Sequence, residues 1–118
     1  MTRTLRVEPS AVLRDFGAAG AMDAALRDGC RRLILPLDRA DAERGSDLRA
    51  TLRAYYANGC SVAQTAEALF MHRNSVRYRL DRIRSVLRLD IEHHEVAAAL
   101  LLAMIATETG ADEAQRAQ

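Results

Sequence analysis

The feature of this sequence that most constrains its fold is a pair of helix signals separated by only three residues. Ser61 and Gln64 form an S-x-x-Q capping box, which predicts the start of a short helix that ends near Leu69. A second helix is predicted directly after residues 70–72, because the apolar side chains that follow recur at helical spacing. Two short helices joined by a tight turn are typical of a helix-turn-helix motif. The apolar stripe of the second helix consists of Val76, Leu80, Ile83 and Leu87.

Further helices are predicted on both sides of this pair. Ser46 can cap a preceding helix, and Asn58-Gly59 should end it. A final helix, over about residues 92–107, is apolar nearly all round, so we expect it to be buried against the others or in a dimer interface. The apolar stripe of the preceding helix is Leu48, Leu52 and Tyr55 or Tyr56, and we expect both tyrosines to be core or half-buried.

The amino-terminal part of the chain is harder to assign. Ser10 to Asp28 is rich in alanine and predicts a helix. The apolar run at residues 33–35 stops at Pro36, which suits a strand, a helix end or a packed linker. Residues 38–44 can make one or two helical turns before Gly45.

These signals together predict an all-α fold, a helix-turn-helix bundle of about five or six helices. We divide the chain into an amino-terminal helical or linker segment, residues 1–46, and a helix-turn-helix domain with its closing helix, residues 47–110. Residues 111–118 are expected to be a disordered tail.

The charges are distributed unevenly along the chain. Residues 49–88 contain eight arginines against two acids, Glu67 and Asp81, whereas residues 1–48 are balanced and residues 89–118 are acidic. Every basic residue is arginine. The use of arginine in place of lysine favours two-pronged contacts to phosphate or guanine, although a GC-rich genome would also produce an arginine-only composition.

A helical projection of the second helix separates its polar side chains from the apolar stripe. Arg73 and Arg77 near its start are suited to guanine, Asn74 to adenine, and Tyr78 to a phosphate or a thymine methyl group. His72, just before the helix, is suited to cap it or to approach a phosphate. The remaining arginines flank the helix, Arg84 on the side of Arg73 and Arg77, and Arg79 and Arg82 on the other side.

A family resemblance becomes specific at this point. The block ALFMHRNSVRYRLDRI, residues 68–83, resembles the pattern A-L-x-x-H-R-N-T-V-x-Y-R-L-x-x-I of the carboxy-terminal helix-turn-helix of PucR/CdaR-type transcriptional regulators, with Ser75 in the threonine position. The resemblance extends over residues 48–91. The block is similar, more distantly, to the Fis-type helix-turn-helix, in which the residues matching Arg73, Ser75 and Arg77 lie at the DNA face. Members of the family usually carry this domain at the end of a longer chain with sensory domains.

Residues and resemblance together predict a sequence-specific double-stranded DNA-binding domain of a transcriptional regulator, acting as a homodimer because one short motif buries little surface. A small-molecule effector is not expected in this fragment. The alternative is a helical dimerisation module that does not bind DNA, which would bury the arginine face. The candidate DNA-binding residues are Ser61, His72, Arg73, Asn74, Ser75, Arg77, Tyr78, Arg79, Arg82 and Arg84.

Other classes of function lack a signal in the sequence. No nucleophile and base pair, phosphate-cradling glycine loop or grouped carboxylates stand at a recognisable spacing, so we expect no enzyme and no cofactor. His93 and His94 point about 100° apart on a helix, which disfavours a metal site. Cys30 and Cys60 are expected to be small buried thiols. The longest apolar run is far shorter than the roughly 20 residues of a membrane span, and no export signal is present, so we expect a cytoplasmic protein.

Overall fold

The computed structural model describes residues 8–18 and 23–116, and the regular structure of these residues is entirely α-helical. The predicted all-α fold is therefore confirmed. In chain order the helices are α1, Pro9–Ala18; α2, Ala24–Arg44; α3, Leu48–Ala57; α4, Val62–Ala68; α5, Arg73–Leu87; and α6, His94–Arg116.

Helix α2 differs most from the expectation. Asp23 caps its start by accepting a hydrogen bond from the amide of Leu26 at 2.7 Å, and the helix then continues through Pro36 to Arg44. The apolar run before Pro36 is thus helix interior, and none of the three conformations considered for it is right. Pro36 is exposed, so the carbonyl that loses its amide partner there lies on the solvent side. The flanking residues Ile34 and Leu37 are fully buried, and their burial outweighs the proline defect.

The helix predicted over Ser10 to Asp28 falls partly in α1 and partly in α2, and residues 19–22 lie outside the described residues. The predicted turns over residues 38–44 are the end of α2, which stops at Gly45 with a left-handed φ of 61°. Glycine adopts this conformation without a steric penalty.

The start of α3 is capped across the chain and not by Ser46. The carboxylate of Asp41, on α2, accepts hydrogen bonds from the amides of Leu48 at 2.7 Å and Arg49 at 3.0 Å. The Ser46 hydroxyl donates to the same carboxylate at 2.8 Å. Asp41 therefore satisfies free amides of α3 and joins it to the end of α2.

Arg49 ties three helices together. Its guanidinium lies 3.0 Å from the carboxylate of Asp38 on α2, and it donates to the Met104 carbonyl of α6 at 3.0 Å and to the Thr107 hydroxyl. Because both Asp38 and Asp41 bond to the first turn of α3, the last turns of α2 are fixed relative to the rest of the bundle.

One core joins α2, α3, α4, α5 and α6, so the packing crosses the boundary that we drew at residue 46. α2 packs along α6 and also contacts α3 and α5. The fully buried members of this core include Ile34, Leu37, Leu52, Val76, Leu80, Ile83, Ile91, Leu100 and Met104.

The last helix is buried within the single chain on one face. Leu100, Ala103 and Met104 of α6 have no exposed surface, and they belong to the common core. α6 continues to Arg116, through residues that we expected to be a disordered tail. Alanine, glutamate, glutamine and arginine in that stretch all favour helix.

Two smaller expectations have different outcomes. Cys30 is buried, as predicted, but Cys60 is exposed, so the prediction of a second buried thiol is wrong. Cys60 lies in the turn after α3, where its φ is left-handed at 60°. Tyr55 is buried and Tyr56 is half-buried, as predicted.

Candidate nucleic-acid interface

Helix α5 is anchored by the apolar stripe that its sequence predicted. Val76, Leu80 and Ile83 are fully buried, and Leu87 packs against the core from a half-buried position. With this stripe inside, the opposite side of the first turns faces solvent. The exposed residues there are Arg73, Asn74, Ser75, Arg77 and Tyr78.

His72 closes the amino-terminal end of α5. Its Nδ1 accepts a hydrogen bond from the amide of Asn74 at 3.0 Å, so the imidazole caps the helix while remaining exposed. Ser61 has the corresponding position on α4, where its hydroxyl accepts from the amide of Gln64 at 3.1 Å. The amide of Ser61 donates to the Asn58 carbonyl at 3.2 Å, so the capping box is formed on one side.

The turn between α4 and α5 explains how a helix-turn-helix forms here without glycine. Phe70 adopts a left-handed φ of 54°, and the next amide, that of Met71, donates to the Ala66 carbonyl at 3.0 Å. The Phe70 side chain is 97% exposed and adds no packing to the turn. The backbone geometry that glycine usually supplies is thus adopted by a bulky residue.

The first two turns of α5 form a surface that we call the reading face: Arg73, Asn74, Arg77 and Tyr78. Within it, the Arg77 guanidinium donates to the side-chain oxygen of Asn74 at 3.1 Å, which orients both groups. Tyr78 is 64% exposed. No acidic residue occurs on α5 before Asp81, so nothing on these turns neutralises the arginines.

Arg84, farther along α5, is half-buried and paired with acidic side chains of the same chain. Its guanidinium lies 2.8 Å from the carboxylate of Glu92 and 3.2 Å from that of Asp81. Glu92 also accepts a hydrogen bond from the Tyr55 hydroxyl at 2.7 Å. Burial, then this hydrogen bond and the charge of Glu92, raise the pKa of Tyr55 well above its ordinary range. Arg84 therefore braces α5 against α3, apart from the other predicted DNA-binding residues.

On the other flank of α5, the structure forms a groove that the sequence did not predict. Its volume is about 600 Å³, and it lies between the last turn of α2 and α5. Arg79 donates to the Thr51 hydroxyl at 3.3 Å and lies 3.9 Å from Asp47. We call this groove between α2 and α5 the basic groove. Its polar lining includes Arg44, Ser46, Asn74, Tyr78, Arg79 and Arg82.

Sequence reasoning did not find Arg44 because that residue lies in the charge-balanced segment 1–48. Only the packing of α2 against α5 brings it beside the helix-turn-helix. The sequence signal that concerned Arg44 was its position just before Gly45, which marks it as the last residue of a helix.

Metal-binding clusters and membrane spans were also sought among the described residues. Within them, no group of three or more histidine, cysteine or acidic side chains is placed to hold a metal ion. None of the helices that they form is both long and apolar enough to span a membrane.

Comparison with known proteins places this geometry in context. Residues 48–106 match the family described as the PucR C-terminal helix-turn-helix domain. The chain is 32% identical over 66 residues to the proline-responsive transcriptional activator PutR of Bacillus subtilis, a match that covers 56% of this chain and 16% of PutR. It is 37% identical over 57 residues to the carbohydrate diacid regulator of Escherichia coli, covering 48% of this chain and 15% of that protein.

An uncharacterised protein of Thermomonospora curvata is 44% identical over 69 residues, covering 58% of this chain and 38% of the relative. The chain thus spans well under half the length of these curated relatives. No solved structure matches it.

Proposed function

Since this chain belongs to the PucR C-terminal helix-turn-helix family, we propose that it binds double-stranded DNA sequence-specifically, as the DNA-binding part of a transcriptional regulator. Two of its relatives are themselves named as a transcriptional activator and a regulator. The proposed role is recognition without catalysis.

The observation that carries the proposal is the reading face. It lies at the start of the second helix of the motif, exposed and free of acidic neighbours on its own turns. In helix-turn-helix proteins the start of this helix enters the major groove. Arginine is suited to the acceptors of guanine and asparagine to adenine, so Arg73, Arg77 and Asn74 would read bases.

The other candidate residues would hold the backbone of the duplex. His72, Ser61 and Ser75 are polar groups at or near helix starts, where phosphates are favoured. Arg79 and Arg82 flank α5. Arg84, bound to Asp81 and Glu92, would act by holding α5 in position.

We also propose that the working form is a homodimer and that it acts in the cytoplasm. A single helix-turn-helix buries too little surface for tight specific binding, and a second copy on a paired half-site supplies the remainder. The named relatives are bacterial, and in bacteria the chromosome lies in the cytoplasm.

Selection of bound sequences from a random pool of duplexes tests the function directly. We expect a defined preferred site and an affinity for it that falls steeply as the salt concentration rises. Each phosphate contacted should add about −0.9 to the slope of log K against log salt. A flat salt response, or no enrichment and no binding at about 50 mM salt, would favour the dimerisation module instead.

A further inference from the structure

The basic groove joins two parts of the chain that the sequence keeps apart. One wall is the last turn of α2 with the loop that follows, including Arg44 and Ser46, and the other is the flank of α5. Residue 44 lies outside the segment 48–106 that matches the family. The wall from α2 is held in position, because Asp41 bonds to the first amides of α3 and Arg49 bonds to Asp38.

Three arginines converge on this groove, and two of them are not neutralised by the protein. Arg79 is partly engaged by Thr51 and Asp47. Arg44 and Arg82 form no ion pair with an acidic side chain of segments 8–18 and 23–108. The groove therefore carries an uncompensated positive charge.

A second groove near the start of α3 provides the contrast. This second groove contains two arginines, and both are paired. Arg49 lies 3.0 Å from Asp38, and Arg53 lies 3.4 Å from Glu108. Positive charge without a partner is thus a property of the basic groove and not of every arginine-lined surface of this chain.

The position of the groove identifies the anion that would fill it. Asn74 and Tyr78 belong both to the reading face and to the lining of the groove, so the two surfaces are continuous. A helix about 10–12 Å across fills a major groove about 12 Å wide, and a sugar-phosphate strand then runs along each flank. The flank of α5 that carries Arg79 and Arg82 would face one of these strands.

From this continuity we propose that the basic groove binds the phosphodiester backbone of one DNA strand, with Arg44 of α2 and Arg82 of α5 contacting it from opposite walls. The proposal rests on the proposed DNA-binding function. It adds α2 to the DNA interface and assigns Arg44 the role of a phosphate contact that is independent of base sequence.

The test compares Arg44→Ala and Arg82→Ala with Arg39→Ala in the full chain. Arg39 is an exposed arginine on α2 that does not line the groove, so its replacement removes the same charge without the contact. Binding of each variant is measured over a range of salt, on the selected duplex, on single-base variants of it and on an unrelated duplex. Circular dichroism checks that each variant is folded.

We expect Arg44→Ala and Arg82→Ala each to weaken binding roughly five- to tenfold at low salt, on every duplex alike. Each should also reduce the magnitude of the salt slope by about 0.9, while Arg39→Ala leaves that slope unchanged. The order of preference among single-base variants should not change, because a phosphate contact carries no base information.

The outcomes separate this inference from the function on which it rests. If the unaltered chain binds no duplex, the proposed function fails. If the unaltered chain binds but Arg44→Ala behaves like Arg39→Ala, DNA binding stands and the phosphate role of the groove is wrong. The unaltered chain could also be retained on immobilised polyglutamate. If Arg44→Ala abolishes that retention but leaves DNA binding intact, the groove binds an acidic protein and the proposal is overturned.

Discussion

Phe70 combines an exposed aromatic side chain with a backbone conformation that side chains disfavour. Its φ is 54° and its side chain is 97% exposed, so the residue bears a conformational cost without gaining burial. That cost is about 1–2 kcal/mol for an L residue, and glycine avoids it. We therefore expect Phe70→Gly to have a free energy of unfolding roughly 1 kcal/mol higher than Phe70→Ala, because alanine retains the cost. Urea denaturation of the two variants measures the difference, and equal stabilities would contradict it.

Arg77 and Arg84 lie on the same flank of α5, but the structure gives them different surroundings. Arg77 is exposed beside Asn74, whereas Arg84 bonds to Glu92. Arg77→Ala should cost about 1–3 kcal/mol of binding energy on the preferred duplex and relax the preference at one base pair. Arg84→Ala should lower the free energy of unfolding and leave base preference intact. The measurement is binding to single-base variants of the site, together with denaturation.

Equal losses of binding on all duplexes for both substitutions would make Arg77 a phosphate contact and not a base reader. Leu80→Ala provides the folding control, because Leu80 is fully buried in the stripe of α5. Its loss should cost about 2–5 kcal/mol of stability.

Helix α3 contributes two tyrosines that make stability sensitive to alkaline pH. Burial raises the pKa of both Tyr55 and Tyr56 above their ordinary value of about 10, and each hydroxyl donates a hydrogen bond, to Glu92 and to the Ile91 carbonyl. In the unfolded chain both tyrosines ionise near pH 10, while in the folded chain they keep their protons. The stabilisation is therefore complete below about pH 10 and is lost as the pH rises further.

We accordingly expect the free energy of unfolding to fall as the pH is raised from about 9 to 11. The chain has no lysine, but burial also raises the pKa of the Cys30 and Cys60 thiols, which therefore add the same contribution to the decline in both proteins. Replacing Tyr55 and Tyr56 by phenylalanine should flatten that decline, although it lowers stability at neutral pH by removing two hydrogen bonds. Denaturation across this range compares the two proteins, and an unchanged decline in the double variant would refute the assignment.

For the molecule as a whole, the assembly on DNA is the main prediction. The buried face of α6 is used within the chain, so a dimer must form through other surfaces or on the DNA itself. We expect two copies on a palindromic site, with their reading helices about 34 Å apart or a multiple of this distance. Sedimentation with a palindromic duplex and with a single half-site measures the stoichiometry. One copy bound at saturation of the palindrome would exclude the dimer.

The local signals that predicted the helix-turn-helix are those that depend on neighbouring residues alone. The stripe Val76, Leu80 and Ile83, the cap at Ser61 and the exposure of Arg73 and Arg77 follow from helical periodicity and hydrogen bonding within one turn. Where distant contacts intervene, the predictions were wrong: Asp41 replaced Ser46 as the cap of α3, and α2 continued through Pro36.

Periodicity was thus sufficient for the fold class, the motif and the exposure of the polar side chains on the first turns of α5, because a helix places its side chains at fixed angles whatever packs against it. Periodicity and charge pattern placed Arg84 and Arg82 on opposite flanks of α5, but they could not show that Arg84 is paired with Glu92 while Arg82 lines an open groove. Nor could they bring Arg44 beside α5. These differences arise when the buried faces of α2, α3 and α5 pack together, because packing determines which charges meet an opposite charge and which remain facing solvent.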